Sequence, residues 1–166
     1  MSWLMEIIPN PSPNYNERPA GQAIDMIVLH YTDMLSAIEA LDLMCDPNSK
    51  VSAHYLVDKA GMVYQLVDDS KRAWHAGVSE WQGEENINNC SLGIELDNNG
   101  HTYGHEPFPD IQMQSLLKLL EHCVARHTIP KNRILGHSDI APERKQDPGP
   151  FFDWDLLLKH GYGVLR

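Results

Sequence analysis

Ile24 to His30 reads I-D-M-I-V-L-H, a nearly continuous apolar run that ends on a histidine. Such a run without alternation is the pattern of a strand covered on both faces, and it demands an interior place in a sheet. Ser91 to Leu96 (S-L-G-I-E-L) has the same character, and Asn98-Asn99-Gly100 closes it with turn chemistry. Ile134 and Leu135 form a third short strand running into Gly136-His137.

Helical segments lie between these strands. Ser36 followed by Glu39 has capping-box spacing, with Ile38, Leu41 and Cys45 recurring at helical intervals before Asp46-Pro47 ends the segment. From Ile111 onward Met113, Leu116, Leu117, Leu120, Val124 and His127 mark one helix face, which Pro130 terminates. Asp153 to His160 has the pattern of a closing helix after Pro148-Gly149-Pro150. Ser52 to Val57 and Met62 to Val67 read as a hairpin around Ala60-Gly61. Elements alternate without a repeat, which predicts one α/β (α+β) domain over residues 23–166, with a central mixed sheet flanked by helices. Pro9, Pro11, Pro13 and Pro19 among asparagines make residues 1–22 an extended N-terminal arm.

Composition narrows the class of partner. Thirteen Lys and Arg against twenty-three Asp and Glu give a formal charge of -10, a field that repels nucleic acid and anionic lipid. Cys45, Cys90 and Cys123 show no C-x-x-C spacing, so neither a disulfide framework nor a cysteine zinc site is expected. The start has no basic n-region or apolar h-region, and no run approaches the ~18 apolar residues of a membrane span. The expectation is a cytoplasmic monomer, or a periplasmic or extracellular one if a leader has been removed.

His30 and His137 each follow a short apolar strand, where a side chain leaves the sheet and faces a cleft, and Asp147 lies in a Pro-flanked loop beyond them. Two imidazoles and a carboxylate, with a fourth position for water, make the ligand pattern of a catalytic zinc site. Spacing alone leaves open that His30 is a strand-end histidine satisfied by backbone and Asp147 an ordinary loop acid. Glu95 sits between apolar neighbours on an interior strand, a costly place for a carboxylate unless it is paired or functional. A general base suits it, as does a structural salt bridge. If Asp147 binds metal, Lys145, two residues before it, is close enough to stabilise an oxyanion, with a solvated loop lysine as the other reading, and Trp74 suits either an apolar or sugar-binding wall or a place in the core.

With these residues laid out, the chain resembles the zinc amidases of the N-acetylmuramoyl-L-alanine amidase family, which includes AmpD- and AmiD-type bacterial enzymes related to peptidoglycan-recognition proteins. The resemblance is carried by V-L-H-Y at 28–31, S-A-H-Y-L-V at 52–57, R-A-W-H-A-G-V-S at 72–79, S-L-G-I-E-L at 91–96 and G-H-S-D-I-A-P-E-R-K-Q-D-P-G-P at 136–150. It implies one zinc ion per chain, held by His30, His137 and Asp147 in a cleft at the strand ends, with Glu95 as acid/base and Lys145 as transition-state stabiliser. It further implies that Trp74 lines the cleft, that Ala141 presents backbone to a glycopeptide, and that His54 and Tyr55 lie near the site. The implied substrates are peptidoglycan, its fragments or (anhydro)muropeptides, cut between N-acetylmuramic acid and L-alanine, with intact wall and soluble fragments both open. A non-catalytic peptidoglycan-binding module of the same fold is the alternative. Where relatives often carry an arginine for a stem-peptide carboxylate, this chain has Asn86, and Lys50 is the candidate to supply positive charge from another side.

Overall fold

Residues Met26–Tyr31 are buried along their whole length, as the apolar run requires, in a computed structural model that describes residues 4–166. The first three residues of the expected arm lie outside the described ones. In chain order the strands are β1 (Ile7–Pro9), β2 (Tyr15–Glu17), β3 (Met26–Tyr31), β4 (Tyr55–Val57), β5 (Val63–Gln65) and β6 (Lys71–Ala73). They continue with β7 (Glu80–Trp81), β8 (Glu84–Glu85), β9 (Ser91–Leu96) and β10 (Ile134–Gly136). The helices are α1 (Ala37–Cys45), α2 (Gly100–Tyr103), α3 (Asp110–His127), α4 (His137–Ile140) and α5 (Trp154–Lys159).

Six strands form the central sheet in the order β1-β5-β4-β9-β3-β10, mixed as expected, with β4 and β5 antiparallel and every other pair parallel. The predicted hairpin is that antiparallel pair. Side chains alternate across the sheet, and both of its faces are covered. On one face Ile27, Leu29, Leu92, Ile94 and Leu96 join Met113, Leu116, Leu119, Leu120 and Cys123 of α3 in the largest apolar cluster. On the other face Met26 and Val28 pack with Leu135, Ile87 and Ile140, and here β3 and β9 also carry His30, Gly93 and Glu95. No helix among the described residues is long and apolar enough to cross a membrane.

Three details depart from the expected pattern. In α1 the Ser36 side chain accepts the Glu39 N–H as a cap, but the helix buries Ala40 and Met44 while Ile38 is 71% exposed. Ala40 and Met44 are one turn apart on a single face, and Ile38 points the other way. In α3 the buried face is centred on Leu116, Leu119, Leu120 and Cys123, and His127 instead contacts the Asp69 carboxylate at 2.7 Å. Within the Pro- and Asn-rich N-terminal segment, β1 pairs with β5 at the edge of the central sheet and β2 pairs with β6. Arg18 fastens this segment, its guanidinium donating to the carbonyls of Asp69, Asn88, Asn89 and Ser91.

His54, just before β4, is wholly buried against that guanidinium. Its Nδ1 accepts the Gly93 N–H at 3.0 Å, so the ring hydrogen sits on Nε2, which donates to the Lys71 carbonyl at 2.9 Å. Burial pushes its pKa down to about 4, against 6.5 when exposed. Above 6.5 the ring is neutral whether the chain is folded or not. Below it the unfolded chain binds a proton that the folded chain refuses, so stability is lost as the pH falls from 6.5 toward 4. Urea unfolding at pH 7 and pH 5 should show wild type losing about 2 kcal/mol more over that interval than His54→Asn, at 1.36 kcal/mol per pH unit. Equal losses in both proteins would show that His54 titrates normally in the folded state.

Candidate metal centre and active site

The parallel register decides which side chains meet. His30 of β3 pairs directly with Glu95 of β9, and Leu29 with Gly136 of β10, so the residue after Gly136, His137, emerges level with His30. All three leave the carboxyl ends of parallel strands, the edge at which open α/β sheets bind ligands.

Asp147 reaches the same point through a loop folded back on β10. The Ser138 N–H donates to the Asp147 carbonyl, while the N–H groups of Arg144 and Lys145 both donate to the Ala141 carbonyl. Gly136 permits this approach, because a Cβ there would lie 2.7 Å from Pro148 Cδ. The Asp139 carboxylate accepts the Gly136 N–H at 2.7 Å and fixes the start of α4, and Arg166 pairs with Asp139 from outside.

His30 Nδ1 lies 2.9 Å from His137 Nδ1 and 3.0 Å from Asp147 Oδ2, and His137 Nδ1 lies 3.2 Å from the same oxygen. All three residues are buried, and their ligand atoms form a cluster able to hold a metal ion. The donor set fits a cation on chemical grounds. His137 Nε2 is 2.8 Å from the Ala76 carbonyl, which only accepts, so its hydrogen is on Nε2 and a lone pair faces inward from Nδ1. Burial first, then His137, pushes the His30 pKa down to about 4, which makes His30 neutral at pH 7. The inward lone pair of His137, the Asp147 carboxylate oxygen and Nδ1 of a neutral His30 meet at one point, a donor set that suits a cation.

Glu95 is half-buried beside this cluster, and its Oε2 is buried with no hydrogen-bond partner. Burial, reinforced by the Asp147 charge, raises its carboxyl well above the usual range, and Lys145 opposes the rise. A carboxyl so placed holds a proton more strongly than an exposed glutamate, the direction a general acid/base needs. A cavity of about 400 Å³ is lined on one side by His30, Glu95, His137, Asp147 and the exposed Lys145. Met34, Leu43, Met44 and Val51 add apolar surface to its lining, and Trp74 lines it too, its Nε1 donating to Asn16 Oδ1 at 3.2 Å.

Four residues named from the sequence do not join the cavity. Tyr55 is 1% exposed and donates its hydroxyl to Asp69, since an inward position on β4 turns it under α3. His54 is enclosed by Arg18, Lys71 and Gly93. Lys50 is exposed and only its successors Val51 and Ser52 reach the wall. Ala141 lines a separate depression with Asn86, Val78 and Pro142, and Arg144 borders both hollows.

One residue at the centre escaped the sequence reading. His75 Nδ1 lies 3.0 Å from His30 Nε2. The available signal was Gly93, because a glycine inside an apolar strand marks a close approach, and a Cβ at that position would overlap the His75 ring.

The pattern of the N-acetylmuramoyl-L-alanine amidase family matches residues 20–150. The chain is 38% identical to the N-acetylmuramoyl-L-alanine amidase AmiD of Escherichia coli, over 85% of this chain and 54% of AmiD, so it spans about half the length of that relative. It is also 38% identical to the 1,6-anhydro-N-acetylmuramyl-L-alanine amidase AmpD of Citrobacter freundii, over 92% of this chain and 88% of AmpD. The solved structure of E. coli AmiD with the substrate anhydro-N-acetylmuramic acid-L-Ala-D-γ-Glu-L-Lys matches with a TM-score of 0.78 at 35% identity, over 91% of this chain and 67% of that one. The chain belongs to the N-acetylmuramoyl-L-alanine amidase family.

Proposed function

We propose that this protein is a zinc amidase that hydrolyses the bond between N-acetylmuramic acid and L-alanine, acting on soluble anhydro-muropeptides. The observation that carries this reading is the convergence of two imidazole nitrogens and a carboxylate beside Glu95, whose buried Oε2 has no partner, all in one cavity. The substrate class follows from the family and from the substrates in the names of AmpD and of the AmiD complex.

His30, His137 and Asp147 would hold a single zinc ion, which would supply Lewis acidity toward a carbonyl and a water of lowered pKa. Glu95 takes a proton from the attacking water as the new C–O bond forms. Glu95 then delivers that proton to the alanine nitrogen as the C–N bond breaks. Lys145, on the cavity wall, faces the charge that develops on the carbonyl oxygen. Trp74 with Met34, Leu43 and Val51 offers an apolar surface to the carbon-bound hydrogens of the sugar.

Dialysis against a chelator should abolish release of tripeptide from anhydro-N-acetylmuramyl-tripeptide, and one equivalent of zinc per chain should restore it, with products read by mass spectrometry. Digestion of intact sacculi in parallel should be far slower. Preferential release of peptide from sacculi would move the substrate to the intact wall, and bound zinc with no hydrolysis of either would favour a binding module. Glu95→Ala should keep its zinc and lose turnover by roughly 10²-fold or more. Near-normal turnover in that variant would remove Glu95 from the proton transfers.

A further inference from the structure

A chain of hydrogen bonds runs outward from His30, on the side away from the metal cluster. His30 Nε2 is 3.0 Å from His75 Nδ1, His75 Nε2 is 3.1 Å from Ser91 Oγ, and Ser91 Oγ is 2.6 Å from the Ile87 carbonyl oxygen. The directions follow from the far end. A carbonyl oxygen only accepts, so the single hydroxyl hydrogen of Ser91 goes to Ile87. Ser91 Oγ then accepts from His75, which places the hydrogen of His75 on Nε2 and leaves a lone pair on Nδ1. Into that lone pair His30 must donate its Nε2–H. The remaining lone pair of His30 is therefore on Nδ1, the atom that faces His137 and Asp147.

We propose that His75 is a positioning residue for the metal centre: through Ser91 and the Ile87 carbonyl it locks His30 in the tautomer and ring orientation that present Nδ1 to the ion. The proposal rests on the reading of His30, His137 and Asp147 as zinc ligands. Partners of this kind, one bond beyond the ligands, orient the rings and are worth about 10- to 100-fold in metal affinity.

Two further features hold the His75 ring in place. Gly93 of β9 leaves open the volume that the ring occupies, since a Cβ there would overlap it. The backbone on either side is fixed by one side chain, with Asn88 Oδ1 accepting the N–H of His75 at 3.1 Å and of Ala76 at 2.8 Å. The rings of His75 and His30 meet nearly edge to face, at 84°, so His75 Nδ1 points at His30 Nε2 instead of stacking on it. His137 needs no such relay, because a backbone carbonyl receives its Nε2–H directly. The two histidine ligands thus reach the same tautomer by different routes, one through backbone and one through His75.

The full chain at 18.8 kDa is within reach of long-range 1H–15N NMR, which reads histidine tautomers without metal. In the zinc-free protein at pH 7.5, His75 and His30 should both carry hydrogen on Nε2, and a hydrogen on His75 Nδ1 would overturn the relay. Zinc dissociation constants from competition with a chelating dye provide the second readout. His75→Phe should weaken zinc about 10- to 100-fold. His75→Asn, whose Oδ1 can stand in for the lost acceptor, should recover most of it. Wild-type affinity in His75→Phe would sink the proposal, as would an Asn variant as weak as Phe with an unchanged unfolding midpoint. Should wild type bind no zinc, the ligand assignment itself fails, and with it the positioning role.

Discussion

The parallel pairing of β3 with β9 on one side and β10 on the other is the constraint from which the site follows. Parallel strands start together and end together, so the residues at their carboxyl ends are neighbours in space whatever their distance in sequence. The register sets His30 against Glu95 and brings His137 level with them, although 107 positions separate the two histidines. A slip of one residue in β9 would turn Glu95 into the α3 core and bring Ile94 or Leu96 to the metal side. Such a slip is opposed by Leu92, Ile94 and Leu96, each fully buried among Leu116, Leu119 and Leu120 of α3. The apolar face of the sheet thereby holds the geometry of the polar one.

That arrangement places groups together that would separate if they were free to move. Inward lone pairs on two histidines, a carboxylate oxygen and the buried Oε2 of Glu95 repel one another or lack partners. They stay in place because each is attached to something rigid: His30 and Glu95 to interior strands, His137 to a helix start clamped by Asp139, and Asp147 to a loop bonded back to Ser138. A cation relieves the first conflict. The second shows in the chain without a metal as a raised proton affinity of Glu95, set by burial and by the Asp147 charge.

Legibility in the sequence followed from how local the cause was. The interior strands were readable because burial on both faces leaves no alternation to confuse, and His30, Glu95 and His137 stood out as polar groups on those runs. Asp147 was readable as a loop acid but its return to His137 depends on turns at Ala141 and Gln146 that spacing does not encode. Tyr55 and His54 could not be placed, because adjacent residues of an extended chain point to opposite sides and the motif S-A-H-Y-L-V does not say which side is the cleft. The helix α1 was found through its Ser36 cap, whereas its buried face went to Ala40 and Met44, small or flexible residues that fit close against Leu56 and Ala73 better than a branched Ile38.

His75 was the hardest to see because the segment that carries it has no regular secondary structure. From Trp74 to Gly77 every residue nonetheless meets the site or its supports. Trp74 forms cavity wall, His75 contacts His30, the Ala76 carbonyl accepts from both His137 and Arg144, and Gly77 leaves room for the Arg144 guanidinium. Four such contacts from a mobile loop would be transient. Here they are fixed from behind by Asn88, which is buried and takes two successive N–H groups of the segment, and by Ser52, which takes the N–H of Trp74. Loops carry function when a rigid scaffold positions them, and Asn88 and Ser52 are where the scaffold reaches this one. The metal centre is therefore built from two sources, strand ends that bring the ligands together and an irregular segment that determines how their rings are turned.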